Sequence, residues 1–345
     1  MPTKNVHYSD YLQLDKILGA QEPESFKVGK LPAHDEMLFI IIHQTYELWF
    51  KQIQFEIDAL LKTMRKPVLN DNSADLQTVV HRLKRVVTIL KVLVQQIDVI
   101  ETMTPLDILD FRDMLRPASG FQSWQFKQIE AKLGLQFEQR HGQQYYTSQL
   151  KDAEITLVKE TEHADSVISL LNIWLERMPF ITDATLWINY VPVSAKQTFF
   201  SDYEHIYVNG LAEEERNNHE FFKQVFNDDA EKIIRQITPK ACRNALFIML
   251  YRGYPMLELP FQLLETLLEI DNQLGNWRHR HINMVQRMIG TRIGTGGSTG
   301  AGYLKGAMEK HAIYKEIAQL SSFLIDRRKL PVLPKELTEK LGYSF

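Results

Sequence analysis

The strongest constraint on the fold is the spacing of apolar residues, which recur at intervals of three and four along almost the whole chain. This spacing is typical of helices, and the alternation typical of a half-buried strand is scarce. In HDEMLFIIIHQTYELWFKQIQFEIDALLKTM, residues 34–64, apolar residues lie on more than one side, which predicts a central, buried helix. The pattern as a whole predicts an all-α protein.

Capping residues and breaks predict where the helices begin and end. A second long helix starts after Asn72 or Ser73, either of which can serve as its N-cap, and continues toward Pro105. We expect it to pack antiparallel to the helix at 34–64. The stretch 178–210 carries aromatic residues and prolines without a clear period and is predicted to be a small excursion or cap. Further helices are predicted at 122–134, 148–176, 212–236, 239–251, 257–290 and 301–324.

Composition and segment order favour one globular body. We find no repeat, low-complexity segment or domain linker, so we predict a single helical domain over residues 1–345. The formal charge of −3 gives no sequence-wide attraction for nucleic acid or an anionic membrane. No apolar run has the length of a signal peptide or a membrane span, and the single cysteine, Cys242, fits a reducing compartment. We therefore expect a cytoplasmic protein.

A glycine-rich stretch follows the last long predicted helix. Seven of the sixteen glycines lie within 290–306. A phosphate-binding loop is disfavoured, because the stretch lacks a Gly-Lys-Ser/Thr ending and follows a helix rather than a strand. A flexible connection between helices is the simplest alternative. Thr295, Ser298 and Thr299 nevertheless place hydroxyls among the glycines, so a loop that closes over a ligand and hydrogen-bonds it is also consistent.

Two histidines and one arginine in apolar surroundings are candidate functional residues. His281 shares a helix face with methionines and a valine, and His43 lies inside FIIIHQ; each can also be a core residue bonded to a carbonyl. Neither has the spacing of a zinc or di-iron motif, but such a pair would suit a haem pocket. Arg112, in LDFRDML, either covers a helix with its stem or pairs with a carboxylate, which a substrate can supply.

Several long segments of the chain closely resemble the tryptophan 2,3-dioxygenase family. They are HYSDYLQLDKILGAQ, HDEMLFIIIHQTYELWFKQI, DFRDMLRPASGFQSWQF, PFQLLETLLEIDNQLGNWRHRHINMVQRMIG and GTGGSTGAGYLK. The likeness runs in order from about residue 8 to about residue 325 and is weakest between 178 and 235. It implies an all-α enzyme with a haem pocket between its helices. The implied reaction inserts both atoms of O₂ across the C2–C3 bond of the indole ring of L-tryptophan, giving N-formyl-L-kynurenine, the first step of tryptophan catabolism by the kynurenine pathway.

The resemblance also implies roles for individual residues on the haem. His281, the last histidine of WRHRH, matches the proximal ligand of haem b, whose iron is ferrous in the active form. Ser298 matches a position near a haem propionate. His43 matches the distal histidine near the indole N–H, where it orients the substrate, and Phe39, one turn earlier, packs on the indole ring.

Further matches concern the substrate and the assembly. Arg112 matches the arginine that pairs with the substrate carboxylate, and Thr295 the threonine that contacts the ammonium and carboxylate groups. The family forms homotetramers, in which an N-terminal arm, here residues 1–25 with Tyr8 and Tyr11, reaches the active site of a neighbouring subunit. Ile108 lines the implied indole pocket, but it stands where the family has Phe or Tyr, which leaves the substrate range open.

Three other functions are compatible with the residues. Ile108 leaves room for a haem enzyme that transfers one oxygen atom to an indole or phenol. A haem-based sensor or carrier would bind O₂ or tryptophan without chemistry, although Arg112 beside a substrate-sized pocket argues against a plain carrier. A helical scaffold without a cofactor is the third alternative.

Overall fold

The computed structural model describes residues 5–70, 73–140, 145–194, 198–228, 235–292, 294 and 311–343. The prediction of an all-α fold is confirmed, since none of these residues forms a β-strand. The α-helices are α1 (Tyr8–Leu12), α2 (Leu14–Leu18), α3 (Glu36–Met64), α4 (Ala74–Ile100), α5 (Pro105–Arg112), α6 (Trp124–Leu133), α7 (Tyr145–Ser148), α8 (Asp152–His163), α9 (Val167–Glu176), α10 (Phe199–Gly210), α11 (Asn218–Phe226), α12 (Pro239–Leu250), α13 (Pro255–Ile289), α14 (Lys315–Gln319) and α15 (Lys335–Leu341). Short 3₁₀ helices lie at Glu24–Phe26, Asp113–Leu115, Gly120–Gln122, Phe137–Gln139, Ala184–Trp187, Glu213–Glu215, Leu320–Phe323 and Arg327–Lys329.

The long helices α3 and α4 pack antiparallel, as predicted. Near the start of α3, the Tyr46 hydroxyl donates to the Leu93 carbonyl on α4 at 2.7 Å. Further along α3, Glu56 pairs with Arg85 at 2.7 Å. Contacts further toward the C-terminus of α3 are therefore made by residues further toward the N-terminus of α4, so the two helices are antiparallel.

The longest helix, α13, runs parallel to α4. Lys91 of α4 pairs with Glu269 of α13 at 3.2 Å. Later along both helices, Arg280 pairs with Asp98 at 2.7 Å and with Glu101 at 2.9 Å. The three long helices thus form the framework on which the shorter elements pack.

The predicted helix at 148–176 is two helices, α8 and α9. The interruption comes from Ser166, whose backbone is extended and whose hydroxyl accepts a hydrogen bond from the Ser169 N–H. A serine in this conformation caps the N-terminus of a new helix, because it satisfies an N–H group that has no partner inside the helix. The second long helix begins in the same way, with Ser73 rather than Asn72 as its N-cap.

Two other predicted helices lie partly outside the described residues. In 212–236, the described part contains a 3₁₀ turn and α11, and residues 229–234 lie outside it. In 301–324, residues 301–310 lie outside it, and the described part contains α14 and a 3₁₀ turn. The remaining long predictions, at 34–64, 239–251 and 257–290, agree with α3, α12 and α13.

The core consists of a large and a smaller apolar cluster. The large cluster includes residues of α3, α4, α9, α12 and α13, and it takes in Phe199 and Tyr203 from the stretch 178–210. The smaller cluster joins α3, α4, α5 and the C-terminal part of α13, and Trp277 packs against both clusters. A common core of this kind supports the single-domain organisation, which stays a prediction.

None of the described helices combines the length and the apolar composition that crossing a membrane would require.

Candidate functional site

A cavity of about 810 Å³ is lined mainly by aromatic and aliphatic residues of α3, α5, α6 and α13. Its volume lies in the upper part of the range of small-molecule and cofactor sites, roughly 300–1,000 Å³. Five of the residues singled out in the sequence line this one cavity: Phe39, His43, Ile108, Arg112 and His281. They come from three separate helices, so the fold brings together residues that lie far apart in the chain.

Helix α3 positions Phe39 and His43, which stand one turn apart on the same face. Their ring centroids are 4.2 Å apart, and the Nδ1 atom of His43 lies 2.7 Å from the Phe39 carbonyl oxygen. Because a carbonyl can only accept, Nδ1 carries the proton and donates it to this bond. The Nε2 atom of a neutral His43 is therefore left as a hydrogen-bond acceptor.

The environment of His43 favours this neutral form. His43 retains accessible surface, but it lines the cavity and is surrounded by protein. Burial lowers the pKa of His43, although the hydrogen bond with the Phe39 carbonyl and the charge of Glu47 act in the opposite direction. At neutral pH the imidazole is consequently uncharged and able to accept a hydrogen bond.

His281 lies on α13 with its ring stacked on Trp277, at a centroid distance of 5.1 Å and an interplanar angle of 19°. Its Nδ1 atom is buried and has no hydrogen-bond partner among the described residues. Burial lowers the pKa of His281 to about 4, and repulsion from His43, when His43 is protonated, acts in the same direction. The imidazole is therefore neutral, which is the state in which histidine binds a metal.

Arg112 is the last residue of α5, a short helix whose start is fixed by its sequence. Thr104 and Asp107 form a reciprocal capping box, and Pro105 occupies the first helical position. Arg112 is only 7% exposed and lines the cavity, and Ile108, one turn earlier, is buried in the same wall. The helix thus places a guanidinium group and an aliphatic side chain against the same space.

Another part of the cavity wall is ionic and centres on the buried carboxylate of Glu130. Arg278 contacts one of its oxygens at 2.6 Å, and Arg140 contacts the other at 2.7 Å. His311 lies 3.3 Å from the first oxygen. Burial alone would raise the pKa of Glu130, but the hydrogen bond from His311 and the charges of Arg140 and Arg278 hold the pKa well below its usual range. Glu130 is therefore an anion at neutral pH.

Lys127, one turn before Glu130 on α6, adds a cation to this wall. It is 7% exposed, lines the cavity and donates a hydrogen bond to the Phe121 carbonyl. Burial lowers the pKa of Lys127 to about 8, and the charge of Glu130 acts in the opposite direction. The side chain is mostly protonated at neutral pH, so it can meet an anionic group inside the cavity.

Sequence reasoning missed several residues of this wall. Trp277 and Arg278 precede His281 by four and three residues, a spacing that places all three toward one side of a helix, and this signal could have identified them. Arg140 and His311 come from distant parts of the chain. No local pattern marks those two residues.

The remaining predicted site residues are not brought to the cavity within the described structure. Tyr8 and Tyr11 lie on α1, are 70% and 75% exposed, and are absent from the cavity wall of this chain. Thr295 and Ser298 lie outside the described residues. Gly294, at the start of the glycine-rich stretch, does line the cavity.

Within the described part of the chain, no group of three or more His, Cys, Asp or Glu side chains is arranged to hold a metal ion. The described residues therefore offer no ligand set of the zinc or di-iron type.

Comparisons with known proteins agree on one family. The profile of the family described as Tryptophan 2,3-dioxygenase matches residues 2–324. The chain is 41% identical to a tryptophan 2,3-dioxygenase of Bdellovibrio bacteriovorus, over 99% of each chain. It is 41% identical to a tryptophan 2,3-dioxygenase of Alteromonas mediterranea, over 98% of this chain and 97% of the relative. It is 40% identical to a tryptophan 2,3-dioxygenase of Dictyostelium discoideum, over 99% of this chain and 89% of the relative.

Proposed function

The chain belongs to the tryptophan 2,3-dioxygenase family, and from this we infer that it is an oxidoreductase acting on L-tryptophan and O₂. The reaction inserts both oxygen atoms across the C2–C3 bond of the indole ring and gives N-formyl-L-kynurenine. The observation that carries the proposal is the meeting of His281, His43 and Arg112 in one cavity. Each of these residues also matches a functional position of the family in the sequence.

The cavity fits a haem b group in three respects. His281 offers a buried, neutral imidazole, as a histidine ligand of haem iron requires. Aromatic and aliphatic side chains supply an apolar wall for the porphyrin, and Lys127 supplies a cation for a propionate. When bound, haem supplies the ferrous iron at which O₂ is activated. We propose that His281 is its axial ligand and that Ser298 contacts a propionate.

The other cavity residues bind and orient the amino acid. Arg112 can hold the substrate carboxylate through two parallel hydrogen bonds, and we assign Thr295 to the ammonium end. The Nε2 atom of His43 accepts a hydrogen bond from the indole N–H, while Phe39 packs on the ring. These contacts would fix the orientation of the indole ring in the cavity, and orientation of this kind lowers the barrier by removing translational and rotational freedom before reaction.

We propose, as the sequence predicts, that the glycine-rich stretch closes over the bound amino acid. Gly294 lines the cavity, and residues 295–306 of the stretch lie outside the described residues. Closure would exclude water while oxygen is activated. Replacing the glycines at 296 and 297 by alanine should then slow turnover, and full activity in that variant would leave the stretch a simple connector.

The proposed reaction is tested with haem-loaded, reduced protein supplied with L-tryptophan and ¹⁸O₂. We expect a Soret band, a kynurenine-type product absorbance and two labelled atoms in the product. One labelled atom would instead identify the monooxygenase that Ile108 leaves open, and no turnover would indicate a sensor or carrier. His281→Ala should lose haem or its five-coordinate spectrum, and retention of a normal spectrum would remove the axial assignment.

We propose that the protein is a homotetramer in which the N-terminal arm crosses to a neighbouring subunit. Helices α1 and α2 bury none of their residues, yet they expose large apolar side chains. On α3, Ile41, Leu48 and Phe55 are exposed at intervals of seven residues, which is the spacing of an interhelical seam. Exposed apolar surface of this extent favours coverage by another copy.

A mixing experiment tests the crossing arm. Subunits with His281→Ala lack the axial ligand, and subunits with Tyr8→Ala and Tyr11→Ala lack the aromatic residues of the arm. If the arm crosses, co-expression restores activity above that of either parent, because a Tyr-deficient subunit can receive an intact arm from its neighbour. Activity no greater than the average of the parents would place the arm outside the neighbouring site. Light scattering gives the mass of each assembly.

We also propose a cytoplasmic location, since the single cysteine, Cys242, is free and cannot form an intrachain disulfide, which fits a reducing compartment.

A further inference from the structure

The orientation of the His281 ring has an unusual source. Metal-binding histidines are commonly oriented by a hydrogen bond from their second nitrogen to a carboxylate, a carbonyl or water. In the described structure the buried Nδ1 of His281 has no such partner. The ring instead lies nearly parallel to the indole of Trp277, 5.1 Å between centroids. A stacked ring restricts the tilt of its neighbour as well as its position.

Trp277 is itself held from several sides. Its ring centroid lies 5.1 Å from that of Phe126 on α6 and 6.3 Å from that of Tyr46 on α3. The Tyr46 hydroxyl is anchored on the Leu93 carbonyl of α4 at 2.7 Å. Trp277 also packs against both apolar clusters of the core. Three neighbouring helices therefore fix the indole against which the His281 ring rests.

We propose that Trp277 is a positioning residue for the axial imidazole, acting through the face of its ring. The proposal rests on the assignment of His281 as the axial ligand. Trp277 and His281 stand four residues apart on α13, so the helix itself brings the rings together. Among the described residues no carboxylate accepts the Nδ1 proton, and an imidazole without such a partner is a comparatively weak electron donor.

Two substitutions separate the ring face from the indole N–H. Trp277→Phe keeps an aromatic face and removes the N–H, and Trp277→Leu removes both. In the ferrous, haem-loaded protein we expect the iron–histidine stretching band in the resonance Raman spectrum to stay close to wild type in the Phe variant. In the Leu variant it should shift and broaden. Haem transfer to apomyoglobin should be about two- to tenfold faster for Leu, the equivalent of one aromatic pair.

The matched control is Trp187→Leu. Trp187 stacks on Phe199 with centroids 4.8 Å apart and an angle of 29°, and neither residue lines the cavity. The same loss of a stacked tryptophan should leave the iron–histidine band unchanged there. Phe126→Leu removes an aromatic ring that packs against Trp277 and should broaden the iron–histidine band to a smaller extent. This variant tests the proposal if Trp277→Leu does not fold.

Several outcomes would overturn the proposal. An unchanged band in Trp277→Leu would mean that another contact, such as a water on Nδ1, orients His281. Equal shifts in Trp277→Phe and Trp277→Leu would assign the effect to the indole N–H rather than to stacking. A wild-type protein without any iron–histidine band would contradict the assignment of His281 as the iron ligand. This result differs from the two variant outcomes, which leave that assignment intact.

Discussion

Replacing Glu130 by Gln should destabilise the protein severely, because it removes the charge that two buried guanidinium groups share. Arg278 and Arg140 contact the Glu130 carboxylate at 2.6 and 2.7 Å, and the side chains of all three residues are at most 6% exposed. Glutamine keeps the shape of the side chain but not its charge. Removing one partner of a buried ion pair costs about 3–5 kcal/mol, since the remaining charge stays desolvated. Here that charge is chiefly Arg278, because Arg140 keeps its contact with Glu162 at 2.8 Å.

A second buried carboxylate provides the control. Glu56 contacts Arg85 at 2.7 Å with a side chain that is only 4% exposed, but the Arg85 side chain is 49% exposed. When Glu56→Gln removes the charge, the guanidinium group of Arg85 can return to water. The loss should then be that of a surface pair, about 0–1 kcal/mol. The two substitutions are chemically identical and differ in the solvation of the partner left behind.

Thermal unfolding distinguishes the two cases. With an unfolding entropy of roughly 2.1 cal/mol/K per residue, a chain of 345 residues loses about 1.4 °C of Tm for each kcal/mol. Glu130→Gln should therefore lower Tm by roughly 4–7 °C and Glu56→Gln by less than about 1.5 °C. Urea unfolding gives the free energies independently. Equal shifts in the two variants would refute the argument that desolvation of the arginines determines the cost.

The stability difference between wild type and Glu130→Gln should depend on pH, and the lowered pKa of Glu130 determines the direction. The pKa of Glu130 is held well below 4.5 in the folded protein and returns to about 4.5 in the unfolded chain. The stabilisation by its charge is therefore fully present above pH 4.5 and is lost as the pH falls through the lowered pKa. The gap in unfolding free energy between wild type and Glu130→Gln should narrow below pH 4.5, and a gap independent of pH in this window would contradict the assignment.

Two further predictions concern the substrate. His43→Ala should retain haem and its five-coordinate spectrum but lower kcat; loss of haem in this variant would show that the two histidines have exchanged roles. Arg112→Gln should leave the haem spectrum unchanged and raise KM. Loss of a desolvated pair between Arg112 and the substrate carboxylate weakens binding by about 2–4 kcal/mol, which raises KM roughly thirty- to nine-hundredfold. Unchanged saturation with L-tryptophan would remove the carboxylate role.

The parts of the fold that follow from local physics could be predicted from the sequence. Apolar spacing located α3 and α13, and the capping chemistry of Ser73 located the start of α4. The break at Ser166 was missed, because the apolar pattern continues across it while the serine hydroxyl takes over a backbone hydrogen bond. Local conformational choices of this kind depend on a single side chain and leave the hydrophobic period intact.

The candidate site likewise contains residues whose proximity the sequence predicts and residues whose proximity it does not predict. His43 and Phe39 share a face of one helix, so their proximity follows from spacing alone, and the family resemblance then assigned them roles. Arg140 reaches Glu130 through the connection between α6 and α7, and His311 reaches it from beyond the glycine-rich stretch. Such contacts depend on tertiary packing, and neither residue lies in a segment whose pattern distinguishes it from an ordinary surface charge.

The ion network and the aromatic stack act on the same turns of α13. Arg278 is fixed to Glu130 on α6, and Trp277 is fixed between α3 and α6, so two adjacent residues hold α13 against rotation immediately before His281. If both contacts orient the imidazole, loss of either one should leave the other carrying the constraint. The iron–histidine band of Glu130→Gln combined with Trp277→Leu should then broaden by more than the sum of the two single variants, whereas additive broadening would show that the two contacts act independently.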